Sequence, residues 1–195
     1  MLRGAGVSLL RGFRAPSVRQ PVRLNILEGR VASCVLRRGV TSTTEAKPAP
    51  GSPFHYALPV HDVEVARNFY GKVLGLVEGR RAGNKWQDYS LAGHQIVCHW
   101  VGNDYRCQDY YNPVDGDDVP VPHFGLALTV EDFQTLVARL KAHNVKFIIE
   151  PHLRFEGMPG EQWTCFFKDP SGNNLEFKAI TNPNNLFARY DVQDK

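Results

Sequence analysis

The chain has 195 residues, 43% hydrophobic, 11% aromatic and 22% charged, with a formal net charge of +3. That composition describes a globular protein and excludes a disordered one, and the length suits one ordinary domain with an appended segment or two small modules. No run of about 18 apolar residues occurs, so no helix is expected to cross a membrane.

The charge is unevenly placed. Eight arginines, one lysine and two glutamates make residues 1–50 +7, which leaves −4 for the remainder. A basic pI of 8.7 would suggest a nucleic-acid partner, but the mildly acidic body argues against one. Met1 to Ile26 contains no acid and spaces Arg3, Arg11, Arg14, Arg19 and Arg23 among small and apolar residues. An Arg-rich, acid-poor, Ser-containing start is the pattern of an organellar transit peptide, without the apolar core of a secretory signal. A mitochondrial matrix address is the first expectation, a plastid the second and the cytoplasm the third. TSTTEAKPAPGSP (41–53) reads as a Pro- and Ser-rich linker. Residues 1–50 are therefore expected to be presequence and linker, 51–181 the folded domain, and 182–195 a C-terminal tail with apolar Leu186 and Phe187. Four scattered cysteines, Cys34, Cys98, Cys107 and Cys165, lack CxxC spacing and are expected as free thiols.

In chain order the body opens with a short strand, HYALPV, followed by an amphipathic helix with Asp62 as N-cap and Val65, Phe69 and Val73 on one face. Gly75 stops it. Strands are predicted over 76–80, 85–91 and 94–101. GNDYRCQDYYNPVDGDDVPV (102–121) then joins two copies of one pattern. The second copy repeats the order: a strand in PHFGLAL, a helix with Asp132 as N-cap and Phe133, Val137 and Leu140 inward, and Asn144 at its end. Strands over 146–151, 161–169 and 174–180 follow, the last two joined by the DPSGNN turn. The fold class is α+β: two tandem βαβββ modules, about 54–101 and 122–180, forming a cupped, partly open mixed sheet.

Strand alternation sorts the polar residues by face. His55 shares a face with Ala57 and Pro59, and His123 with Gly125 and Ala127, so both histidines stand among small residues. Glu176 lies opposite Leu175 and Phe177, and Gln95 and His99 share a face with Val97. Each module thus carries metal-type side chains on its first and last strands, and imidazoles with a carboxylate suit Fe(II), Zn, Ni, Co or Mn. His61, His94, His143 and His152 are expected at the surface.

The run H-x-A-x-x-V, F-Y-x-x-V-L-G-L, H-F-G-L and D-P-x-G-N-x-L-E-F over residues 54–180 resembles the vicinal oxygen chelate superfamily. That group contains glyoxalase I, methylmalonyl-CoA epimerase, extradiol dioxygenases, and fosfomycin- and bleomycin-resistance proteins. The chain looks most like its single-domain, extradiol-dioxygenase-like members. The resemblance implies a metal at His55, His123 and Glu176, with His99 (or Gln95, on the same face) as the fourth position. His55, His123 and Glu176 match the two-histidine, one-carboxylate pattern of the ring-cleaving enzymes, so Fe(II) is the favoured cofactor. Glyoxalase I carries a glutamate on the last strand of its first module, where this reading sets His99. His99 is then either a ligand or the acid/base, and Gln95, Tyr110 and Arg154 are candidates for substrate contact. The implied partner is a small molecule with vicinal oxygens; a lyase or isomerase working through an enediolate and a non-catalytic binding protein are the alternatives. Neither nucleic acid nor membrane insertion is expected, and a homodimer is the favoured assembly. Whether one chain closes the cup or two chains share it stays open at this stage.

Overall fold

The computed structural model describes residues 51–192; the expected presequence and linker, and the last three residues of the tail, lie outside them. The body is built from two βαβββ modules. In the first, β1 (His55–Val60), α1 (Val63–Arg67), β2 (Val77–Ala82), β3 (Trp86–Leu91) and β4 (His94–Trp100) form a sheet of order β1-β4-β3-β2. After a hairpin of β5 (Tyr110–Val114) and β6 (Asp117–Val121), the second module follows. Its elements are β7 (His123–Ala127), α2 (Val130–Ala142), β8 (Phe147–Arg154), β9 (Gln162–Lys168) and β10 (Asn174–Ile180), in sheet order β7-β10-β9-β8. In each sheet the first and last strands pair in parallel and the others antiparallel.

Local chemistry explains the starts and stops. The Asp62 carboxylate accepts from the Glu64 and Val65 N–H groups at 2.7 and 3.0 Å, capping α1 as expected. For α2 the cap is Thr129, not Asp132: the Thr129 hydroxyl accepts from the Asp132 N–H at 3.1 Å and donates to its carboxylate at 2.7 Å. The two side chains form a reciprocal box that places the helix start earlier than Asp132. Gly75 and Asn144 both take positive φ, 77° and 55°, where their helices end.

The first helix departs from the expected stripe. Beyond α1 the chain widens into a π-helical segment, Asn68–Val73, in which the Leu74 N–H reaches the Phe69 carbonyl. The buried stripe is Val63, Ala66, Phe69, Tyr70 and Leu74, with Val65 40% exposed, and the widening lets the adjacent Phe69 and Tyr70 both turn inward. The joining segment also departs from expectation, because residues 110–121 form the β5–β6 hairpin.

Alternation holds on both sheets: Leu58, Val60, Ile96 and Cys98 from the first, and Cys165, Phe167, Leu175, Phe177 and Ala179 from the second, enter one shared core. Phe69 of the first module packs on Phe167 of the second with ring centroids 6.3 Å apart. Each such ring contributes about 1.5–3 kcal/mol by leaving water. The DPSGNN turn supplies the polar part of the joint. Asp169 accepts from the backbone of Ser171 and Asn173 and from the Tyr70 hydroxyl at 2.8 Å, and Asn173 Nδ2 donates to the Pro59 carbonyl. Arg139 of α2 donates to the carbonyls of Lys72 and Val73. α1 contacts β3 and β4 and α2 contacts β10, so each helix covers the apolar face of its own sheet, and both modules contribute to the one core.

A candidate metal centre in two halves

On the outer face of the first sheet, β1 and β4 run in register with His55 beside Gln95, and β3 sets Asp88 beside Val97. His55 Nδ1 lies 2.8 Å from Gln95 Oε1, and Gln95 Nε2 donates to Asp88 Oδ2 at 3.0 Å. Asp88, 4% exposed, also accepts from Arg80 Nε at 2.9 Å. A carboxylate only accepts, so the Gln95 amide must turn its NH2 to Asp88 and its oxygen to His55. Nδ1 of His55 therefore carries the proton, and Nε2 keeps a lone pair.

The second sheet repeats the device. His123 Nδ1 donates to the Pro120 carbonyl at 2.7 Å, and Nε2 lies 3.2 Å from Glu176 Oε2. Thr164 Oγ1 donates to the other Glu176 oxygen at 3.0 Å, and Lys178 Nζ stands 3.9 Å away. Gly125 makes this possible, since a β-carbon there would overlap the Glu176 carbonyl. The bond to Glu176 raises His123 above its ordinary value against the effect of burial, helped by the Pro120 carbonyl. Burial pushes Glu176 up, but His123, Lys178 and Thr164 outweigh it and hold the carboxyl below its ordinary value. Two imidazoles held through Nδ1, the Nε2 of His123 directed at the ionised Glu176 carboxylate, form a donor set that fits a divalent transition metal once the Nε2 proton is displaced.

Each expected residue can now be placed. His55 and Gln95 come together, and so do His123 and Glu176, but the two pairs do not meet within one chain. Among the described residues no three His, Cys, Asp or Glu side chains cluster as a metal site. His99 does not hold the counterpart of Glu176. His55 is level with Gln95 and His123 with Asn174, so Glu176 corresponds to Val97, and His99 to Lys178. His99 is exposed, across from Trp86 and Pro59. Tyr110 is exposed on β5 with its hydroxyl on Gln108 Oε1.

Arg154 is not free for a ligand: it is 4% exposed, with Nη2 on the Val114 carbonyl at 2.6 Å and Nε 3.3 Å from Asp117. His152 joins that clasp at 3.2 Å from Asp117 and His61 bonds Ser171, so neither is the plain surface residue expected. His94 is half-buried and accepts from the Phe54 N–H at 3.0 Å. The hairpin clasp also packs Val119 and Val114 on Ile149 and Phe166, covering the β8–β9 part of the second outer face. Sequence reading missed Asp88, Thr164 and Pro120. Parity would have put Asp88 and Thr164 on the outer faces; nothing local signals Pro120.

The model of the Glyoxalase/Bleomycin resistance protein/Dioxygenase superfamily matches residues 52–177. A glyoxalase/bleomycin resistance protein/dioxygenase from Alicyclobacillus acidocaldarius is 29% identical, with a TM-score of 0.60, over 72% of this chain and 100% of that one. The fosfomycin resistance protein FosX from Listeria monocytogenes is 20% identical, TM-score 0.52, over 69% and 98%. A lactoylglutathione lyase from Agrobacterium tumefaciens is 19% identical, TM-score 0.50, over 73% and 100%. The latter two share the fold. None of the curated proteins compared matches the chain. The family match spans most of the folded body and agrees with its paired βαβββ modules: the chain belongs to the glyoxalase/bleomycin resistance/dioxygenase superfamily.

Proposed function

We propose that the protein is a metal-dependent enzyme whose centre forms between two copies of the chain, His55 coming from one copy and His123 with Glu176 from the other. The reaction favoured is extradiol-type oxygenation, with Fe(II), of a small substrate bearing vicinal oxygens. The observation that carries this reading is the matched tethering of His55 and His123 by Nδ1, with Glu176 beside one of them and apolar Val97 in the fourth corner. Three protein ligands with a vacant fourth corner suit a non-haem Fe(II) oxygenase, and a fourth carboxylate, as glyoxalase I has, is missing. Bound there, the metal supplies Lewis acidity and open positions for a chelating substrate.

The chain's own residues do the rest. Gln95 and Asp88 hold the His55 ring, and Pro120 holds His123. Val97 and Trp86 offer an apolar wall to a ring. His99, beyond Val97 on the same face, is the group placed to take and return a substrate proton. Among the described residues His55 does not cluster with His123 and Glu176, which supports the shared centre. The basic start, residues 1–50, supports delivery to the mitochondrial matrix, and a fusion of those residues to a reporter tests it.

The decisive experiment mixes two variants. His55→Ala and Glu176→Ala each lose tightly bound metal alone; refolded together they recover wild-type centres in the mixed dimers. No recovery, with both variants folded, rejects the shared centre. Metal analysis after reconstitution with Fe, Ni, Zn and Mn, then O2 uptake on catechols, tests the chemistry. Anaerobic turnover of methylglyoxal and glutathione with Ni or Zn would instead make it a lyase.

A further inference from the structure

The first module's outer face carries a second arrangement, beside the half-site and unused by the metal chemistry. Arg80 on β2 donates through Nε to Asp88 at 2.9 Å, and its guanidinium lies 5.8 Å from the centre of the Trp86 ring. The Asp88 contact anchors the group through Nε, beside the Trp86 ring. Neither Nη nitrogen has a partner among the described residues, although the side chain is 76% exposed. Arg80, Gly79, Asp88, Ser90, Gln95 and Pro53 border a cleft of about 420 Å³. Gly79 is needed at its floor, since a β-carbon there would come within 3.0 Å of Asp88. The same Asp88 oxygen that receives Arg80 receives Gln95, which holds His55. An unbroken hydrogen-bonded row thus joins the free guanidinium edge to the metal-facing imidazole.

The opposite half of the site is narrower. Hairpin residues Val114, Val119 and Asp117 cover the second sheet over Ile149, Phe166 and Arg154. The open area there is limited to the β7–β10 strip, so the bulk of a bound molecule must lie on the first module's face, where Arg80 stands.

We infer that Arg80 is a specificity-determining residue that binds a carboxylate carried by the substrate, while the other end of that molecule reaches the metal side chains. The inference rests on the proposed function for the identity of the second end, and on Arg80 alone for the first. Asp88 balances the formal charge of Arg80, so recognition comes from the two aligned Nη donors, whose fork matches a carboxylate. Lysine, a point donor, cannot replace it fully.

The test uses benzoate as the probe and the full chain in its metal-free form. In ¹H–¹⁵N NMR spectra, benzoate is expected to shift the Arg80 Nε–H and Trp86 indole N–H signals saturably, while the indole of Trp163 stays in place. Benzamide, the neutral isostere, shifts neither. Arg80→Lys weakens the titration several-fold, and Arg80→Gln abolishes it. Unmoved Arg80 and Trp86 signals, equal response to benzamide, or unchanged binding by Arg80→Gln overturns the subsite. In the metal-loaded protein, Arg80→Gln raises KM for 3,4-dihydroxybenzoate at least about tenfold more than that for catechol; equal changes for both also overturn it. Benzoate binding without metal uptake by the chain would reject the enzymatic reading and leave the subsite standing.

Discussion

Replacing Arg154 with methionine separates the hairpin from the sheet it covers. The guanidinium is 4% exposed and holds two things: the Val114 carbonyl at 2.6 Å and, through Nε at 3.3 Å, the Asp117 carboxylate. Methionine fills much of the volume but leaves Asp117 with His152 as its remaining side-chain ion-pair partner and takes the Arg154 bond from the Val114 carbonyl. Removing one side of a buried ion pair costs about 3–5 kcal/mol. Asp117 keeps 21% side-chain exposure, so the lower figure applies, and about 3 kcal/mol lowers the docking equilibrium roughly a hundredfold. The loss is local, since Val119, Ile149 and Phe166 form their own small cluster apart from the main core.

The consequence reaches the metal side chains, because Pro120 on β6 is the acceptor for His123 Nδ1. Freed from it, the ring loses its fixed tautomer, and metal affinity should fall about 10- to 100-fold. Hydrogen exchange read by NMR reports the hairpin amides paired between Tyr110 and Val121, and a metal titration reports the site. Fast exchange confined to 110–121 together with weaker metal binding is the expected pair of results. If the hairpin exchanges freely while metal affinity changes less than twofold, Pro120 does not orient His123. If the hairpin stays protected, Arg154 is not its clasp.

The remaining tests address single links. His99→Ala should keep the metal content of the wild type and lose most turnover, since Val97 and not His99 stands opposite Glu176's position; loss of metal would return His99 to the ligand set. Gly125→Ala should destabilise the fold by roughly 3 kcal/mol or more, seen in chemical denaturation, because the new methyl overlaps the Glu176 backbone. An unchanged midpoint would show that β7 can move aside. In the metal-free protein the His123–Glu176 pair should add a pH-dependent stability that Glu176→Gln removes. The His123 part is full below 6.5 and fades as pH rises through its raised value. The Glu176 part is present above 4.5 and fades as pH falls through its lowered value. The difference between the two proteins should therefore peak between those limits. Metal binding displaces the Nε2 proton, so affinity should instead rise with pH until it passes the raised value of His123 and then level off; an affinity flat below that value contradicts Nε2 ligation.

Much of this was legible in the chain because it depends on short-range rules. Alternation separated Leu58, Val60, Phe177 and Ala179 from His55 and Glu176, since a strand's faces are set by the pleat. The repeat of strand, capped helix and three strands was readable from periodicity, and small Gly125 beside His123 announced a close approach. The π-helical widening was not readable from periodicity: it turns the adjacent Phe69 and Tyr70 both inward, Phe69 onto Phe167 and Tyr70 onto Asp169, partners about a hundred residues away. The hairpin at 110–121 was missed although its signal was local: Asp115 and Gly116, at φ 48° and 87°, form the two-residue turn that Asp-Gly favours between paired strands.

Residue types and shared faces were thus determined by sequence alone: two histidines and a glutamate on the strand faces opposite the apolar ones, and a duplicated core. Tertiary structure decided how they combine. Register between non-adjacent strands, which depends on backbone pairing across some forty residues, gave the fourth corner to Val97 and moved His99 aside. Among the described residues, His55 on one sheet does not come together with His123 and Glu176 on the other, because each pair is held by the register of its own sheet.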